Sequence, residues 1–286
     1  MHNLKIGLAQ VRQTDDFDTN AETILRFMDD AGETGVEVLC FPEAQSVGYR
    51  ADITAPAAPI PVARLDALHA EVALKCKGHG MACILGTETP SNRKSGKPFN
   101  SAMVISERGE ILGVHHKIKL TPLDAVAYEP GETVETFALQ GVTIGVVICF
   151  EGFRFAETTA ECCRQGARVV FQPQNNTTRP NDWKIPIHHA MIVTRAAENT
   201  VWFASCNACL IPYQNCRSMV VRPDGQIHAQ SELKREELLV ADINIAEATL
   251  AMYDYDLEKT APLLFSDTVA RAEFASVLPR AKDCME

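Results

Sequence analysis

An α/β fold with mixed strand pairing is the architecture this sequence predicts, and three observations carry it. Short apolar runs alternate with amphipathic stretches along the chain. One run, residues 141–149 (GVTIGVVIC), is apolar throughout, as a strand covered on both faces requires. No stretch of Gly, Ser or Pro is long enough to separate two domains, so residues 1–286 read as one domain with a core over about 4–252 and a tail over 253–286.

Residues 4–10 read as the first strand. Residues 19–31 place Ile24, Leu25, Phe27 and Met28 at helical spacing, and 36–41 form a buried strand stopped by Pro42. Residues 46–61, rich in Ala and Pro, read as a loop, followed by a helix over 62–77 and a strand over 82–86. Two hairpins then share one recipe. Residues 101–106, the turn Glu107-Arg108-Gly109-Glu110 and residues 111–116 make the first; residues 217–221, the turn Pro223-Asp224-Gly225 and residues 226–229 make the second. The likeness of MVISERGEILG to MVVRPDGQIHA points to two halves with similar elements around one core. Between the hairpins lie the strand 141–149, a helix over 155–165, a strand over 167–171, a helix over 184–199 and a strand over 201–204. A last strand, 237–244, leads into a helix ending at about residue 252 and an irregular tail.

Composition narrows the function classes. Apolar residues make up 46% and charged residues 22%, which excludes a disordered or collagen-like chain. The formal charge of -10 argues against a nucleic acid or an anionic membrane as partner. No apolar run approaches the ~18–20 residues of a membrane helix. The opening MHNLKIGLAQ reads as a strand rather than a secretory leader, and the 10 cysteines sit in core-like sequence. Reduced thiols and a cytoplasmic location are the expectation.

Cys149 ends the apolar strand and precedes Phe150-Glu151-Gly152, where a helix is about to start. A strand-turn-helix junction projects a side chain beyond the sheet, with backbone amides nearby that can hold an oxyanion. By itself, a Cys closing an apolar strand is packing filler. A thiol also needs a base, and no His stands in an obvious partner position. Glu43, after Val38-Leu39-Cys40-Phe41-Pro42, sits at the carboxyl end of a buried strand, where ligands gather in parallel sheets. Burial there would raise its proton affinity. Lys117 ends the first hairpin, in His115-His116-Lys117-Ile118-Lys119-Leu120, and a cation beside a thiol stabilises both thiolate and tetrahedral anion.

In this order the three blocks resemble the nitrilase superfamily of carbon–nitrogen hydrolases, whose members use a Glu–Lys–Cys triad. The matching segments are Phe41-Pro42-Glu43 with Gly48-Tyr49, Lys117-Ile118-Lys119-Leu120, and Ile148-Cys149-Phe150-Glu151. Pro130-Gly131, Arg154-Phe155-Ala156-Glu157, Arg195-Ala196-Ala197-Glu198-Asn199, Asn207, Ser218 and Pro223-Asp224-Gly225 extend the likeness from about residue 4 to 245. The resemblance implies a four-layer α-β-β-α sandwich and a homodimer or higher homo-oligomer formed through a helical face. It implies an amidase-like hydrolase in which Glu43 deprotonates Cys149, while Lys117 and the Phe150 N–H hold the oxyanion. No metal, nucleotide or redox cofactor is implied.

The chain departs from the pattern in places. The segment after Cys149 is one residue longer, with Ala156 in place of proline, which shifts Arg154, a residue that could grip a substrate carboxylate. Asp124 stands where many members carry a second glutamate, with Glu129 a competitor for that place. His115-His116 replaces a usual Tyr-Arg pair. The amide-rich stretch 172–179 (QPQNNTTR) suits a polar substrate, because buried donors left unpaired penalise an apolar one. Tyr49, Asp124, Glu129, Arg154, Asn175 and Trp183 are the candidate substrate contacts. A small polar amide is the leading substrate, with N-carbamoyl compounds and nitriles as alternatives; Phe150, where true nitrilases usually carry Trp, disfavours the last. Two readings of other classes stand beside these. One is a metal site on Cys206-Asn-Ala-Cys209 with Cys216, Cys162-Cys163 and His188-His189; the other is a regulatory protein with an unused triad.

Overall fold

Along each central strand the side chains alternate between two apolar surroundings rather than between core and water. A computed structural model describes residues 3–50, 60–177 and 183–254. Leu4, Ile6, Leu8, Val38, Cys40, Ile84 and Val104 face one core, whereas Leu39, Phe41, Cys83, Leu85, Met103 and Ile105 face another. Period-two alternation into two cores yields the uninterrupted apolar runs that the sequence displays.

The first half runs β1 (Asn3–Gln10), α1 (Phe17–Glu33), β2 (Val38–Cys40), α2 (Val62–His79), β3 (Ala82–Thr89), β4 (Phe99–Ile105), β5 (Ile111–His116) and α3 (Asp124–Ala127). The second half runs β6 (Thr136–Leu139), β7 (Val142–Val146), α4 (Phe150–Arg154), α5 (Ala156–Arg164), β8 (Val169–Gln174), α6 (Lys184–Asn199), β9 (Trp202–Asn207), β10 (Met219–Val221) and β11 (Ile227–Gln230). The chain then returns as β12 (Glu237–Asn244), a 3-10 turn (Ile245–Glu247) and α7 (Ala251–Asp254).

The strands form two six-stranded sheets, ordered β12-β1-β2-β3-β4-β5 and β11-β10-β9-β8-β7-β6. Each has three parallel strands at its centre, an antiparallel hairpin on one side and an antiparallel strand on the other. The sheets meet face to face, and α1 and α2 cover the outer face of the first. On the second sheet α5 packs so closely that a Cβ on Gly145 would overlap Cys162. The fold is thus the expected α-β-β-α sandwich. Among the described residues, no helix is long and apolar enough to cross a membrane.

The two similar hairpins, β4–β5 and β10–β11, occupy equivalent places in the two sheets. Each carries a register shift, at Val104/Ile105 and at Val220/Val221. Each turns on a glycine with positive φ, Gly109 at 77° and Gly225 at 86°, which residues with a Cβ rarely adopt.

Several elements differ from the sequence expectation. The strand β6 was not foreseen, because Thr136–Leu139 is too short to show periodicity on its own. The strand before Cys149 stops at Val146, and the helix expected over 155–165 is found as α5, preceded by the unforeseen short helix α4, from which Phe155 in extended backbone separates it. Phe155 leaves the helical path with its ring edge-on to Phe150, 5.3 Å between centroids, and under the Lys119 ammonium. The last helix is only the 3-10 turn and α7, separated by Leu250 at φ 53°. Most of the loop 46–61 (residues 51–59) and most of the tail (residues 255–286) lie outside the described residues.

One close approach positions the site. A Cβ on Gly86 would stand 1.8 Å from the Pro42 carbonyl oxygen, so only glycine lets the turn after β2 lie against β3. Gly86→Ala should destabilise the protein by roughly 1–3 kcal/mol, as overpacking does. Gly78→Ala, where an added Cβ meets nothing within 4 Å, is the control. Urea midpoints check this: equal midpoints for the two variants would contradict the close packing.

Candidate active site

Glu43 leaves β2 behind Pro42 and is 1% exposed. Its Oε1 accepts from Lys117 Nζ at 2.6 Å and from Asn100 Nδ2 at 2.7 Å, and its Oε2 accepts from the Asn175 amide at 3.0 Å. Lys117, the residue after β5, is fully buried, and its ammonium also lies 2.8 Å from Asp124 Oδ2. The backbone of Lys117 is tied to its neighbours, its N–H donating to Asn100 and its carbonyl accepting from Gly131, both at 2.8 Å. Asp124 opens α3, where its carboxylate accepts from the Thr121 amide at 2.9 Å and from the Tyr49 hydroxyl.

One ammonium thus serves two buried carboxylates, and their proton affinities move apart. Burial and the Asp124 charge push Glu43 up, outweighing Lys117. Burial also works against the charge on Asp124, but Lys117, Tyr49 and the Thr121 amide hold it below the usual range. Lys117 is held up by Glu43, Cys149 and Asp124 despite its burial. Asp124 is therefore the standing charge and Glu43 the group able to take a proton.

Cys149 sits between β7 and α4 at φ 48°, ψ −104°, left-handed backbone that a side chain occupies only when its surroundings enforce it. Its N–H donates to the Pro173 carbonyl at 2.8 Å, and its carbonyl accepts from Gln172 Nε2 at 2.9 Å. Its sulfur lies 3.4 Å from Asn176 Nδ2 and faces the backbone N–H of Asn175, the amide that also serves Glu43. Burial, then the Glu43 charge, push the Cys149 thiol up against the pull of Lys117. The resting sulfur accordingly keeps its proton until a base takes it.

Glu151 ties the lysine and cysteine segments together. Its carboxylate accepts from the Ile148 amide at 2.6 Å, from the Ile118 amide, and from the Lys119 amide at 3.4 Å, and it pairs with His115 Nε2 at 2.9 Å. Burial opposes its charge, yet His115 and these amides hold its carboxyl below the usual range. His116 instead stacks on Phe99, 4.2 Å between centroids.

Of the further candidates, Tyr49, Asp124 and Asn175 join the cluster. Glu129 does not: it turns to Ser95 and Arg93. The competition for Lys117 goes to Asp124, which α3 aims inward. Arg154 is exposed at the end of α4, and Trp183, 59% exposed, precedes α6. Thr178 and Arg179 of the amide-rich stretch lie outside the described residues.

The chain matches the carbon–nitrogen hydrolase family over residues 5–253. It belongs to that family. An (R)-stereoselective amidase from Pseudomonas sp is 26% identical over 272 residues, covering 92% of this chain and 93% of the relative. An omega-amidase from Homo sapiens is 24% identical, covering 86% of this chain and 90% of its own length. Among solved structures, an amidase from Nesterenkonia sp. superposes with a TM-score of 0.73 at 23% identity, over 86% of this chain and 92% of that one. A variant of that amidase shows covalent addition of the acetamide moiety of fluoroacetamide at its active site cysteine, with a TM-score of 0.74, 23% identity and coverage of 90% and 96%.

In this hydrolase three residues of the alternative metal reading are engaged elsewhere. Cys206 Sγ faces the Cys40 carbonyl at 3.2 Å, Cys162 packs on β7, and His188 stacks on Phe153 at 4.5 Å. Among the described residues, no three His, Cys, Asp or Glu side chains come together as metal ligands. Sequence reasoning missed Asn100, whose only local signal is a lone amide at the head of the apolar strand FNSAMVI, and it missed Asn176 within the amide-rich stretch.

Burial pulls the His188 pKa down to about 4 from an ordinary 6.5. The unfolded chain then takes a proton that the folded hydrolase refuses, so stability falls as pH drops from about 6.5 to about 4 and levels off below. Unfolding free energy measured across that window should lose up to about 3 kcal/mol from this group. His188→Phe should remove that part of the loss; an unchanged pH slope would contradict it.

Proposed function

We propose that the hydrolase cleaves a small polar amide through a thioester on Cys149, with Glu43, Lys117 and Asp124 as its working charges. The observation that carries this reading is the shared environment of three sequence-distant groups. Lys117 bridges Glu43 and Asp124 at 2.6 and 2.8 Å, while the Asn175 amide donates to Glu43 at 3.0 Å and the side chain of the next residue, Asn176, reaches the Cys149 sulfur at 3.4 Å.

In the proposed cycle Glu43 takes the Cys149 proton as the sulfur attacks the carbonyl carbon. Lys117 and the Phe150 N–H receive the developing oxyanion. The C–N bond breaks as Glu43 returns the proton to the leaving nitrogen, which departs as ammonia or an amine. Glu43 then deprotonates a water molecule, which attacks the thioester to release the acid and restore the thiol. Asp124 keeps Lys117 charged throughout, and Tyr49 keeps Asp124 in place. The amidase names of the relatives support an amide substrate.

Ammonia release from a panel of small amides, N-carbamoyl amino acids and nitriles tests the substrate class. Turnover of amides should dominate; turnover of N-carbamoyl compounds or nitriles alone would overturn the amide assignment. Cys149→Ala should abolish turnover of whichever substrate is active with the melting temperature retained, and residual activity above about 1% of wild type, far more than removal of a nucleophile leaves, would refute the thioester. Glu43→Gln should slow both turnover and alkylation of Cys149 at neutral pH, and an unchanged alkylation rate would remove Glu43 as base.

A further inference from the structure

We propose that Asn176 is a further catalytic residue of this hydrolase, a side-chain N–H donor to the Cys149 sulfur whose orientation is set by a closed ring of hydrogen bonds. The proposal rests on the reading of Cys149 as nucleophile and adds a group that the triad does not include.

The ring can be followed from an atom whose role is beyond choice. The Cys149 carbonyl can only accept, so the side-chain amide facing it, 2.9 Å away, must be the Nε2 end of Gln172. That leaves Gln172 Oε1 facing Ser205 Oγ at 2.7 Å, where the serine must donate its single proton. With its proton spent, Ser205 Oγ can only accept from Gln174, which therefore presents Nε2 to it. The same Nε2 points its second hydrogen toward Cys216 Sγ at 3.5 Å. Gln174 is thus left with Oε1 toward Asn176, and Asn176 must answer with Nδ2. The other hydrogen of Asn176 Nδ2 is directed at the Cys149 sulfur at 3.4 Å. A path that leaves Cys149 by its carbonyl returns to it at its thiol, and each amide on the way has one permitted orientation.

The members of the ring are held by burial as well as by direction. Gln172, Gln174 and Ser205 are fully buried, on the adjacent strands β8 and β9. The Asn176 backbone is pinned from outside the ring. Its N–H donates to Asn207 Oδ1 at 2.8 Å, and Asn207 Nδ2 is itself fixed by donating to the Cys216 carbonyl at 2.8 Å. Reversing Asn176 would set its carbonyl oxygen against Gln174 Oε1, an acceptor facing an acceptor.

A fixed N–H beside sulfur favours the thiolate over the thiol, because hydrogen bonds to charged acceptors are about twice as strong as neutral ones. It thus opposes burial and the Glu43 charge, which push the same thiol up. No proton leaves Asn176: the thiol proton goes to Glu43, and the amide keeps both of its hydrogens. Gln172, Ser205 and Gln174 are positioning residues that act through Asn176.

The test needs no substrate. Iodoacetamide reacts with thiolate, so its rate of reaction at Cys149 against pH, with the labelled peptide identified by mass, reports the proton affinity of the sulfur directly. In the wild-type protein the label should appear at Cys149; labelling only elsewhere would refute the nucleophile reading itself. With Cys149 labelling established, Asn176→Ala should slow alkylation about tenfold or more below the thiol pKa and shift the pH profile to higher pH. Asn176→Asp, nearly isosteric but offering an acceptor in place of the donor, should shift it further. Ser205→Ala, which removes the hinge of the ring without touching Cys149, should give a smaller shift in the same direction and little further effect when combined with Asn176→Ala. Unaltered pH profiles in Asn176→Ala and Asn176→Asp, in proteins with wild-type melting temperatures, would overturn the proposal. If Asn176→Ala unfolds, the isosteric Asn176→Asp decides alone.

Discussion

The site depends on a single buried ammonium shared between two carboxylates. Lys117 is shut off from bulk solvent, and neither Glu43 nor Asp124 could remain charged at this depth without it. One cation cannot neutralise two anions, so the difference appears as a split in proton affinity. Tyr49 and the Thr121 amide settle which carboxylate keeps its charge, by serving Asp124. Glu43 is left as the acceptor of a mobile proton. In the proposed mechanism that imbalance is the source of base strength, at a place where no histidine takes part.

The backbone is arranged to keep this imbalance beside the sulfur. The carboxyl ends of β2, β7 and β8 meet where the two sheets face each other, bringing Glu43, Cys149 and Asn175 together although more than a hundred residues separate the first from the others. Glu151 then joins the strand-end turn of Cys149 to the segment after Lys117 through three backbone amides. A carboxylate bonded only to amides and one imidazole cannot reach the reacting atoms, yet it sets the spacing between cation and sulfur. Left-handed backbone at Cys149 is tolerated within this frame because both its N–H and its carbonyl are occupied, by Pro173 and Gln172.

Legibility in the sequence followed the range of the interactions. Cys149, Glu43 and Lys117 could be found because each stands where an apolar segment stops, a one-dimensional signal, and the family resemblance supplied their order. The paired hairpins were visible because turn chemistry is local and their glycines recur at the same step. Choosing between Asp124 and Glu129 was beyond the sequence, since both lie in one segment and only the four-residue helix α3 turns Asp124 toward Lys117. The short helix α4 was hidden for a similar reason: its five residues are too few to show helical spacing, and Phe155, in contact with Phe150 and Lys119, sets it apart from α5. The ring through Gln172, Ser205, Gln174 and Asn176 could not be read at all, because hydrogen-bond direction there depends on the register of β8 against β9.

The central claim is that the acyl group of the substrate passes through the sulfur of Cys149 after Glu43 has taken the thiol proton. It is tested most directly by acid-quenching the enzyme during turnover of a small amide and mapping the acyl mass onto peptides, with released ammonia counted in the same sample. The account expects a first burst of ammonia matched by an acyl mass on the Cys149 peptide. A burst equal to the enzyme concentration with that peptide unmodified, or with the acyl group on another side chain, would contradict it.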